Sequence, residues 1–598
     1  MRPMSVGSGM IASVQLRPSA SYISTQCLQE TLTTPVFSIS NLDLSIIFIF
    51  VLDSSVAIFT PRSSETSQIT MNKSGAKVTH KDPDVGESFA ERYATIMATQ
   101  KPNPRGPGYI KLYILAAMVF LCSTMNGFDS SLMGSINALP NFTDYFELPA
   151  SGNASTGIVF AIFQVGQMCG ALFIWMTDWY GRTWHIFFGC LGVCIGTIIT
   201  SLATSLPMLI GGRFMLSFSA TCAHTAAPLY LVEIAPAAYR GTIAGMYNTF
   251  YNVGAILANS AVYACHLYLG HRGDLDWRIP LWLQMVCPGL VCCLIKFYPE
   301  SPRWLVAQDR HEEAKNIIAT YHANGDLDHP LVDLQMAEMI GAIDPNHEAS
   351  WRDLFDLRVL FESRASRYRI MLNIVFSWFG QFSGNNIISY YLPIMLNGIG
   401  ITDTNTKLIL NIAYSIVGWV FSAAGARLHD IVGRRKMLMG TAAGMTVSLA
   451  IVAGCAAAYE DHGIQDASTV TIVFIFLFGA TFAVGFTPMQ PIYPAEVVSN
   501  KMRAKAMGTF KLTAGAAGFL NTFVGPIALS SIGYWFYVFF AFWDSFEVGF
   551  MYFFFVETKG STLEELDEIF EAENPRKASV EAANARRRII REQRASAA

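Results

Sequence analysis

The stretch DIVGRRK at residues 430–436 lies between two apolar segments, and an incomplete copy, DWYGRT at residues 178–183, begins 252 positions earlier between two others. In each copy an acidic residue precedes a glycine and at least one arginine. One copy would carry little information. A second copy at a matching place in another apolar region indicates an internal repeat.

Two further patterns return at nearly the same interval. Glu233 is followed seven positions later by Arg240, and this pair recurs as Glu496 and Arg503. PESPR, which begins at residue 299, recurs as VETKG, which ends at residue 560. Three patterns offset by roughly 250 to 265 positions predict two parallel repeats, an arrangement typical of secondary transporters.

The composition favours a lipid bilayer as the environment of the chain. Of the 598 residues 52% are hydrophobic and 14% are charged, whereas soluble domains carry about 25% charged residues. The net charge of −4 gives no general basic field for nucleic acid. All cysteines except Cys27 fall within apolar segments and form no paired CxxC motifs, which favours small buried side chains over disulfides or a metal site.

Segments near the ~20 apolar residues that a crossing helix needs occur six times in each repeat. The first six are 113–135, 156–176, 184–203, 207–230, 242–267 and 279–297, and the second six are 370–396, 408–426, 437–459, 470–493, 506–528 and 534–555. We therefore predict an all-α membrane protein with 12 transmembrane helices in two six-helix bundles, 109–298 and 369–556. A polar linker with short helices, 299–368, joins the bundles.

Basic residues in the short loops predict the orientation. Loops after even-numbered spans hold nine arginines or lysines, whereas loops on the other side hold only Arg272, Arg278 and Lys407. By the positive-inside rule both termini, 1–108 and 557–598, are cytoplasmic. Two glycosylation sequons in the first outer loop, at Asn141 and Asn153, support the same orientation.

The N-terminal segment 1–108 contains no crossing segment, because its apolar run LSIIFIFVL at 44–52 has only nine residues. We expect most of this segment to be disordered. Residues 1–70 are interpreted as a translated upstream region with Met71 as a plausible start, and a signal-like segment is the alternative.

The repeated motifs place acidic and basic side chains at one rim of both bundles. We interpret them as a cytoplasmic latch whose ion pairs hold the two halves together when the cavity opens outward. The alternative is that the arginines only set the topology. The predicted latch consists of Asp178, Arg182, Glu233, Arg240, Glu300, Arg303, Asp430, Arg434, Arg435, Glu496, Arg503 and Glu557.

These motifs, together with GFDSSLMG at 127–134, WRIPLWLQ at 277–284 and GQFSGNNIISYY at 380–391, resemble the sugar porter family of the major facilitator superfamily. The resemblance covers nearly all of 113–570. Within the family, YNTFYNVG at 247–254 and FTPMQPIYPAE at 486–496 look most like the fungal lactose-permease-type branch. The resemblance implies the major facilitator fold, a sugar substrate and alternating access.

The chain departs from the family pattern at several positions. Trp179 and Thr183 stand where the first loop usually has basic residues, which predicts a weaker N-terminal latch. Gly380 replaces the first Gln of the QQxSGxN motif, and Pro491 replaces the tryptophan of glucose-type members. Asn248 stands at a Gln position. These changes predict a reshaped substrate site.

The resemblance assigns substrate binding to five amides, because an amide offers both donors and an acceptor to a sugar hydroxyl. They are Gln381, Asn386, Asn248, Asn411 and Asn521. Buried amides that only join helices are the alternative. Tyr390 and Tyr391 resemble the family's outer gate, and interfacial anchoring is their alternative role.

Ionisable groups within spans indicate function. Asp129 in the first span and Arg213 in the fourth match proton-coupled family members, and we predict that Asp129 alternates between this arginine and a proton. A permanent ion pair is the alternative. Asp544 and Glu547, three positions apart in the last span, are unusual for the family. Structural pairing with a cation elsewhere is the favoured interpretation, and lining water is the alternative.

The resemblance implies a sugar:proton symporter of a fungal plasma membrane, for a hexose or for a disaccharide such as lactose or cellobiose. A facilitative uniporter and a non-transporting sugar sensor are the alternatives. An enzyme is not expected, because the sequence shows no nucleotide loop, metal cluster or nucleophile–base arrangement. Neither cofactor nor metal is expected. The expected partners are the sugar, the proton and the bilayer, with a functional monomer and no nucleic acid.

Overall fold

The computed structural model describes residues 89–100, 102–149, 153–236, 240–341, 358–499, 502–559, 561 and 563–596, which all belong to one compact unit, Asp82–Ala598. Regular secondary structure in these residues is entirely helical. The apolar run at 44–52 and Met71 lie outside the described residues.

The described chain begins with a short helix, α1, which is followed by the helices of the first repeat and of the linker. The helices are α1 Phe89–Thr99, α2 Pro107–Ile136, α3 Pro140–Tyr145, α4 Ala154–Ala171, α5 Met176–Tyr180, α6 Arg182–Ser201, α7 Leu206–Ile234, α8 Arg240–Leu269, α9 Leu275–Leu283 and α10 Val286–Leu294, then α11 Pro302–Ala307, α12 His311–His322 and α13 Pro330–Gly341 in the linker. Short 3-10 helices follow at Ile295–Phe297 and Arg358–Leu360.

The second repeat and the tail supply the remaining helices. They are α14 Arg364–Phe382, α15 Asn385–Gly398, α16 Thr404–Val432, α17 Arg434–His462, α18 Gln465–Val497, α19 Arg503–Ile532, α20 Trp535–Phe554, α21 Leu563–Glu571 and α22 Pro575–Ser596. Asp403 caps α16, because its carboxylate accepts from the Thr406 N–H at 2.8 Å.

The two repeats pack alike. In the first, α2 packs on α8, and both α4 and α6 pack on α7; in the second, α14 and α15 pack on α19, and both α16 and α17 pack on α18. The halves meet where α4 packs on α19 and α8 packs on α16. Helix α4 of the first repeat corresponds to α16 of the second, and α8 corresponds to α19, so the two contacts are equivalent. The bundle therefore has an approximate two-fold arrangement, as parallel repeats require.

The two ends of the bundle are named by their side chains. Helices α6 and α17 begin with Arg182 and Arg434, and we call the end where these residues lie the arginine end. The other end, where α2 finishes at Ile136, is the opposite end.

Nine of the described helical segments are long and apolar enough to cross a membrane: α2, α4, α6, α7, α9 with α10, α16, α17, α18 and α19. The other three expected spans coincide with α8, the α14–α15 pair and α20. These segments are more polar or are interrupted; α8 carries three asparagines at its contacts with the second half, and α20 carries two acids. The count of twelve crossings therefore stays a prediction.

The seventh expected span is broken at Ser383 and Gly384. Gly384 has a φ of +82°, a left-handed conformation that glycine adopts without steric cost. Helix α14 ends at Phe382 and α15 begins at Asn385, so the last carbonyl oxygens of α14 lack partners within the helix. Irregular backbone at this depth is tolerated where other groups satisfy it.

The sequon at Asn141 has a structural role. Its side-chain nitrogen, the atom that a glycan would modify, donates to the backbone oxygens of Gly270 and Gly273, both at 3.1 Å, and to Asp276 at 2.9 Å. These bonds hold the turn between α8 and α9. Asn153 caps α4 by accepting from the Thr156 N–H at 2.9 Å. Asn141 therefore gives no support to the orientation, and the loop charges carry that expectation alone.

Candidate functional site

The loop motif of the first repeat forms a buried ion-pair cluster. Arg182 donates through Nε and Nη2 to both carboxylate oxygens of Glu233 on α7, at 2.9 and 3.1 Å. Its Nη1 donates to the backbone oxygen of Thr177 at 3.3 Å, and the Ser301 hydroxyl donates to Glu233 at 2.5 Å. The two charged side chains are 10% and 9% exposed. This is a two-pronged, charge-assisted pair with its remaining sites satisfied.

The second repeat reproduces this cluster group by group. Arg434 donates to the two oxygens of Glu496 at 3.3 and 3.1 Å and to the backbone oxygen of His429 at 3.3 Å. Thr558 donates to Glu496 at 2.5 Å, as Ser301 does to Glu233. The duplication that the motifs indicated is therefore present in the side-chain geometry.

The first pair is the shorter and more buried of the two, which corrects the expectation of a weaker N-terminal cluster. The side chains of Arg434 and Glu496 are 13% and 26% exposed. Trp179 and Thr183 stand outside the arginine–carboxylate contact; Trp179 is exposed, and the Thr183 hydroxyl donates to Glu300. Their replacement of basic residues therefore leaves the central pair intact.

Glu300 and Glu557 bind helix N-termini. The Glu300 carboxylate accepts from the backbone N–H groups of Arg182 at 2.9 Å and Thr183 at 3.1 Å, and Glu557 accepts from the N–H of Arg434 at 2.9 Å. A carboxylate at a helix N-terminus accepts from backbone N–H groups that have no partner within the helix, and its negative charge interacts favourably with the helix dipole. The preceding residue, Gly181 or Gly433, has a φ of +92° or +112°, and a Cβ there would lie 2.6 Å from the carboxylate. Glycine is therefore required at this position for two reasons: its positive φ and the lack of space for a Cβ.

In this conformation the described ion pairs of the central arginines lie within one half. Arg182 and Arg434 pair with acids of their own half, because α6 packs on α7 and α17 on α18. The other predicted members of the latch make separate contacts. Arg303 pairs with Glu338 at 3.4 Å, and Asp178 pairs with Arg182 at 3.2 Å. Arg435 donates to the Tyr552 backbone oxygen at 2.7 Å, and the Arg503 Nε has no partner among the described residues. The side chains of Arg240 and Asp430 are not described, so a latch between halves stays a prediction for an outward-open state.

The halves are in contact at the opposite end. The rings of Phe160 on α4 and Tyr391 on α15 are 4.8 Å apart, and Tyr391 donates its hydroxyl to the Thr522 backbone at 2.6 Å. Tyr390 lies 5.7 Å from Phe160. A Cβ on Gly157 would lie 2.6 Å from the Phe523 oxygen, so α4 and α19 approach as closely as backbone allows. The predicted gate tyrosines thus lie in a closed contact.

Three of the five predicted amides meet at the break between α14 and α15. The Asn386 side chain donates to the backbone oxygen and the side-chain oxygen of Gln381, both at 3.1 Å. Asn521 on α19 donates to the same backbone oxygen at 2.8 Å, and its own side-chain oxygen has no described partner. The cluster satisfies a carbonyl freed by the break and keeps an acceptor uncommitted.

The other two amides join the halves instead. Asn248 donates to the backbone oxygen of Thr487 on α18 at 3.3 Å. Asn411 donates to Ser135 on α2 at 3.1 Å, next to a bond of 2.7 Å from Asn259 to Ser415. For Asn248 and Asn411 this conformation favours the alternative role of joining helices.

Sequence reasoning did not include Gln490 and Gln284. Gln490 stands between Pro488 and Pro491 on α18, and its amide lies beside Gly380, within the gap left by the missing motif glutamine. Gln284 donates to Asp129 at 3.1 Å. The polar residue flanked by prolines in a span was the available signal for Gln490.

Asp129 is fully buried on α2 and makes one described hydrogen bond, to Gln284; its second oxygen has none. Arg213 donates to the Val159 backbone at 2.9 Å and lies over the Phe163 ring, 5.6 Å from its centre. The structure places no ion pair between the described side chains of Asp129 and Arg213, so the alternative of a permanent ion pair does not describe this conformation.

Asp544 and Glu547 are fully buried on α20. Glu547 accepts from the Trp543 ring N–H at 2.8 Å, while both oxygens of Asp544 lack a partner among the described residues. The expected pairing with a cation is therefore wrong for the described part of the chain. The apolar surroundings come from the aromatic side chains of α14 and α20 that pack on each other.

A bundle of two matched repeats, with a broken helix and a cluster of amides at its middle, is the architecture of a secondary transporter. The family model described as sugar (and other) transporter matches residues 115–570, and the chain belongs to this family. It is a multi-pass membrane transporter with the major facilitator fold and is not an enzyme.

Relatives and solved structures agree with this assignment. The chain is 29% identical to a high-affinity glucose transporter of Kluyveromyces lactis over 78% of this chain and 86% of that protein. It is 27% identical to a probable quinate permease of Aspergillus niger over 80% and 91% of the two chains. Its fold is similar to the inward-open xylose transporter XylE from E. coli, with a TM-score of 0.62 and 19% identity over 77% of this chain and 100% of that one.

Proposed function

We propose that this protein carries a sugar across a fungal plasma membrane by alternating access, with a proton as the coupled ion. The observation that carries the proposal is the Gln381–Asn386–Asn521 cluster at the helix break. An amide with an unpartnered acceptor, held beside a carbonyl freed by the helix break, matches hydroxyl groups that both give and take hydrogen bonds. Relatives named as a glucose transporter and as quinate permeases transport polyhydroxylated rings.

The contacts between the halves are consistent with one state of such a cycle. They include the ring contact between Phe160 and Tyr391, which lies toward the opposite end. We assign the arginine end to the cytoplasm, because basic loop residues remain inside. In this assignment the structure represents a state closed to the outside, and the latch would form when the cavity reopens outward.

Proton coupling is proposed for Asp129, with Arg213 as the positive group that competes with the proton. A buried carboxylate with one free oxygen, held by Gln284 and unpaired with Arg213, is a group that could take a proton in this state. One solved structure with a similar fold, XylE, is named as a proton:xylose symporter, which supports a proton as the coupled ion in this proposal. Facilitative uniport is the second candidate, since Asp129 would then be structural; a sugar sensor is the third.

Uptake of radiolabelled glucose, lactose and cellobiose should be measured in a transporter-deficient yeast, with and without an uncoupler. Accumulation above the external concentration that collapses with the uncoupler supports symport. Equilibration that ignores the uncoupler supports uniport. Binding by the purified protein without uptake in cells that express it at the surface would indicate a sensor, and no binding or uptake of any of these sugars would overturn a sugar substrate.

A further inference from the structure

The tail helix α22 carries a serine in a basic sequence context. The helix begins PRKASVEAA, so Ser579 follows Arg576 by three positions and Lys577 by two. Protein kinases that select basic substrates recognise an arginine and a second basic residue at these distances before a serine, because acidic groups beside the kinase active site pair with them. The sequence around Ser579 therefore fits the substrate of a basophilic serine kinase.

Ser579 also joins the tail to the arginine cluster of the second repeat. Its hydroxyl oxygen accepts from the backbone N–H of Glu557 at 3.2 Å and donates to the backbone oxygen of Arg576 at 2.8 Å. The carboxylate of Glu557 in turn accepts from the N–H of Arg434, the first residue of α17, at 2.9 Å. Glu557 thus connects Ser579 on α22 with the helix that carries the central arginine.

Helix α22 buries little apolar surface through its described side chains. Ser579 is 1% exposed, but the apolar side chains that pack beside it on the core are those of Ala578 and Ala582, and both are only partly buried. The guanidinium of Arg576 lies over the Tyr552 ring, 5.1 Å from its centre. Segments with few buried apolar contacts open at a low cost in free energy. The tail can therefore release Ser579 to a kinase while the bundle stays folded.

The docked position of Ser579 does not suit a phosphate. Phosphorylation adds three oxygens and a charge of about −1.5 to −2. It removes the hydroxyl proton that is donated to the Arg576 backbone, and it places negative charge beside Glu557, which is buried and already binds the N-terminus of α17. The added volume and the like-charge repulsion both oppose docking, so a phosphorylated tail helix is expected to leave the arginine end.

We propose that Ser579 is a phosphorylation site and that its modification releases α22 from the arginine end. A kinase transfers the γ-phosphoryl group of ATP to the serine: the Oγ–P bond forms, the bond from the γ-phosphorus to the bridging oxygen of ADP breaks, and the hydroxyl proton passes to the catalytic base of the kinase. The site is independent of which solute the bundle carries. It requires the arginine end to face the cytoplasm, where ATP and protein kinases are found.

The first test incubates the purified full chain with ATP and the catalytic subunit of cAMP-dependent protein kinase, and locates the phosphate by mass spectrometry. Phosphate should appear on Ser579. Lys577→Ala removes an exposed basic side chain and should slow this reaction severalfold, whereas Ser579→Ala should abolish phosphorylation at this position. Phosphate on other residues alone, or on none, would overturn the proposed site.

The second test measures hydrogen exchange of the backbone amides of 578–585 in the same full chain. The phosphorylated chain and Ser579→Asp should exchange these amides about 10-fold faster than the parent or more, because a hydrogen bond is lost and an unpaired charge opposes docking. Asn584→Asp is the matched control, since it adds the same charge at an exposed position of the same helix and should exchange like the parent.

Unchanged exchange in the phosphorylated chain would mean that α22 stays docked, and slower exchange would mean that a nearby arginine such as Arg576 binds the phosphate. Either result overturns release of the tail. Neither experiment uses sugar uptake as its readout, so failure of this site is distinguishable from failure of the proposed transport function.

Discussion

The side-chain nitrogen of Gln490 lies 3.5 Å from the position that a Cβ on Gly380 would occupy. Gln490 is on α18 and Gly380 is on α14, next to Gln381. The amide of Gln490 thus lies in the space beside Gly380, a residue without a side chain. The absence of a side chain at Gly380 and the presence of Gln490 form one structural arrangement.

We predict that Gln490→Ala weakens sugar binding by about five- to a hundred-fold, the effect of losing one or more buried hydrogen bonds worth roughly 1–3 kcal/mol. Gly380→Gln should also weaken binding, because its side chain would need the space of Gln490. The double variant should bind better than the sum of the two losses implies. Half-saturation constants at equal surface expression measure this, and strictly additive losses would separate the two positions.

The amide cluster predicts that Gln381→Ala and Asn386→Ala weaken sugar binding by a similar factor, because each removes a partner of a substrate hydroxyl or of the cluster. Asn385→Ala is the matched control, since this neighbouring amide makes no described bond to the cluster. Half-saturation values should rise for the first two variants only. Parental values for both would move the substrate site elsewhere in the bundle.

Asp129→Asn is expected to abolish accumulation while sugar exchange continues. Asparagine keeps the size of the side chain and a bond to Gln284 but cannot take up a proton. One charge moved through 100 mV is worth about 2.3 kcal/mol, enough for roughly 50-fold accumulation. The variant should equilibrate sugar, ignore an uncoupler and show no sugar-induced proton uptake. Continued accumulation that an uncoupler collapses would assign coupling to another group, with Asp544 or Glu547 next.

The two arginine clusters predict different stabilities. Arg182→Ala would leave a buried Glu233 without its cation, a change that typically costs about 3–5 kcal/mol. Arg434→Ala leaves a more exposed Glu496, and partly exposed pairs contribute about 1 kcal/mol or less. Arg182→Ala should therefore lower the melting temperature of the purified protein more.

A double replacement, Arg182→Ala with Glu233→Gln, controls for this interpretation because it removes the unpaired charge. It should recover part of the lost stability. The latch interpretation makes a separate prediction for Arg434→Ala: loss of the latch should raise the accessibility of cysteines in the cavity to a reagent added from the arginine end. If accessibility and melting temperature both match the parent, the motif acts only in topology.

Several features were predictable because they depend on short-range pattern. Hydrophobic length gives the crossing helices, and the duplicated DIVGRRK motif gives two repeats, since a repeated sequence forms the same helix–turn–helix geometry twice. The Gln381 and Asn386 cluster was also predictable, because both residues lie in one motif around a glycine that breaks a helix.

Tertiary packing decided what the motifs do. Arg182 and Glu233 are 51 positions apart and pair within one half because α6 packs on α7, a contact that charge pattern alone cannot assign. Asn248 on α8 and Asn411 on α16 carry the same amide as Asn386, but each lies where its helix meets the other half and is committed to a partner there. Gln490 became a functional candidate only through its position beside Gly380. The sequence by itself determined a two-repeat membrane transporter; which polar groups remain free for a solute is a property of helix packing, since only the fold decides which hydrogen bonds are already made.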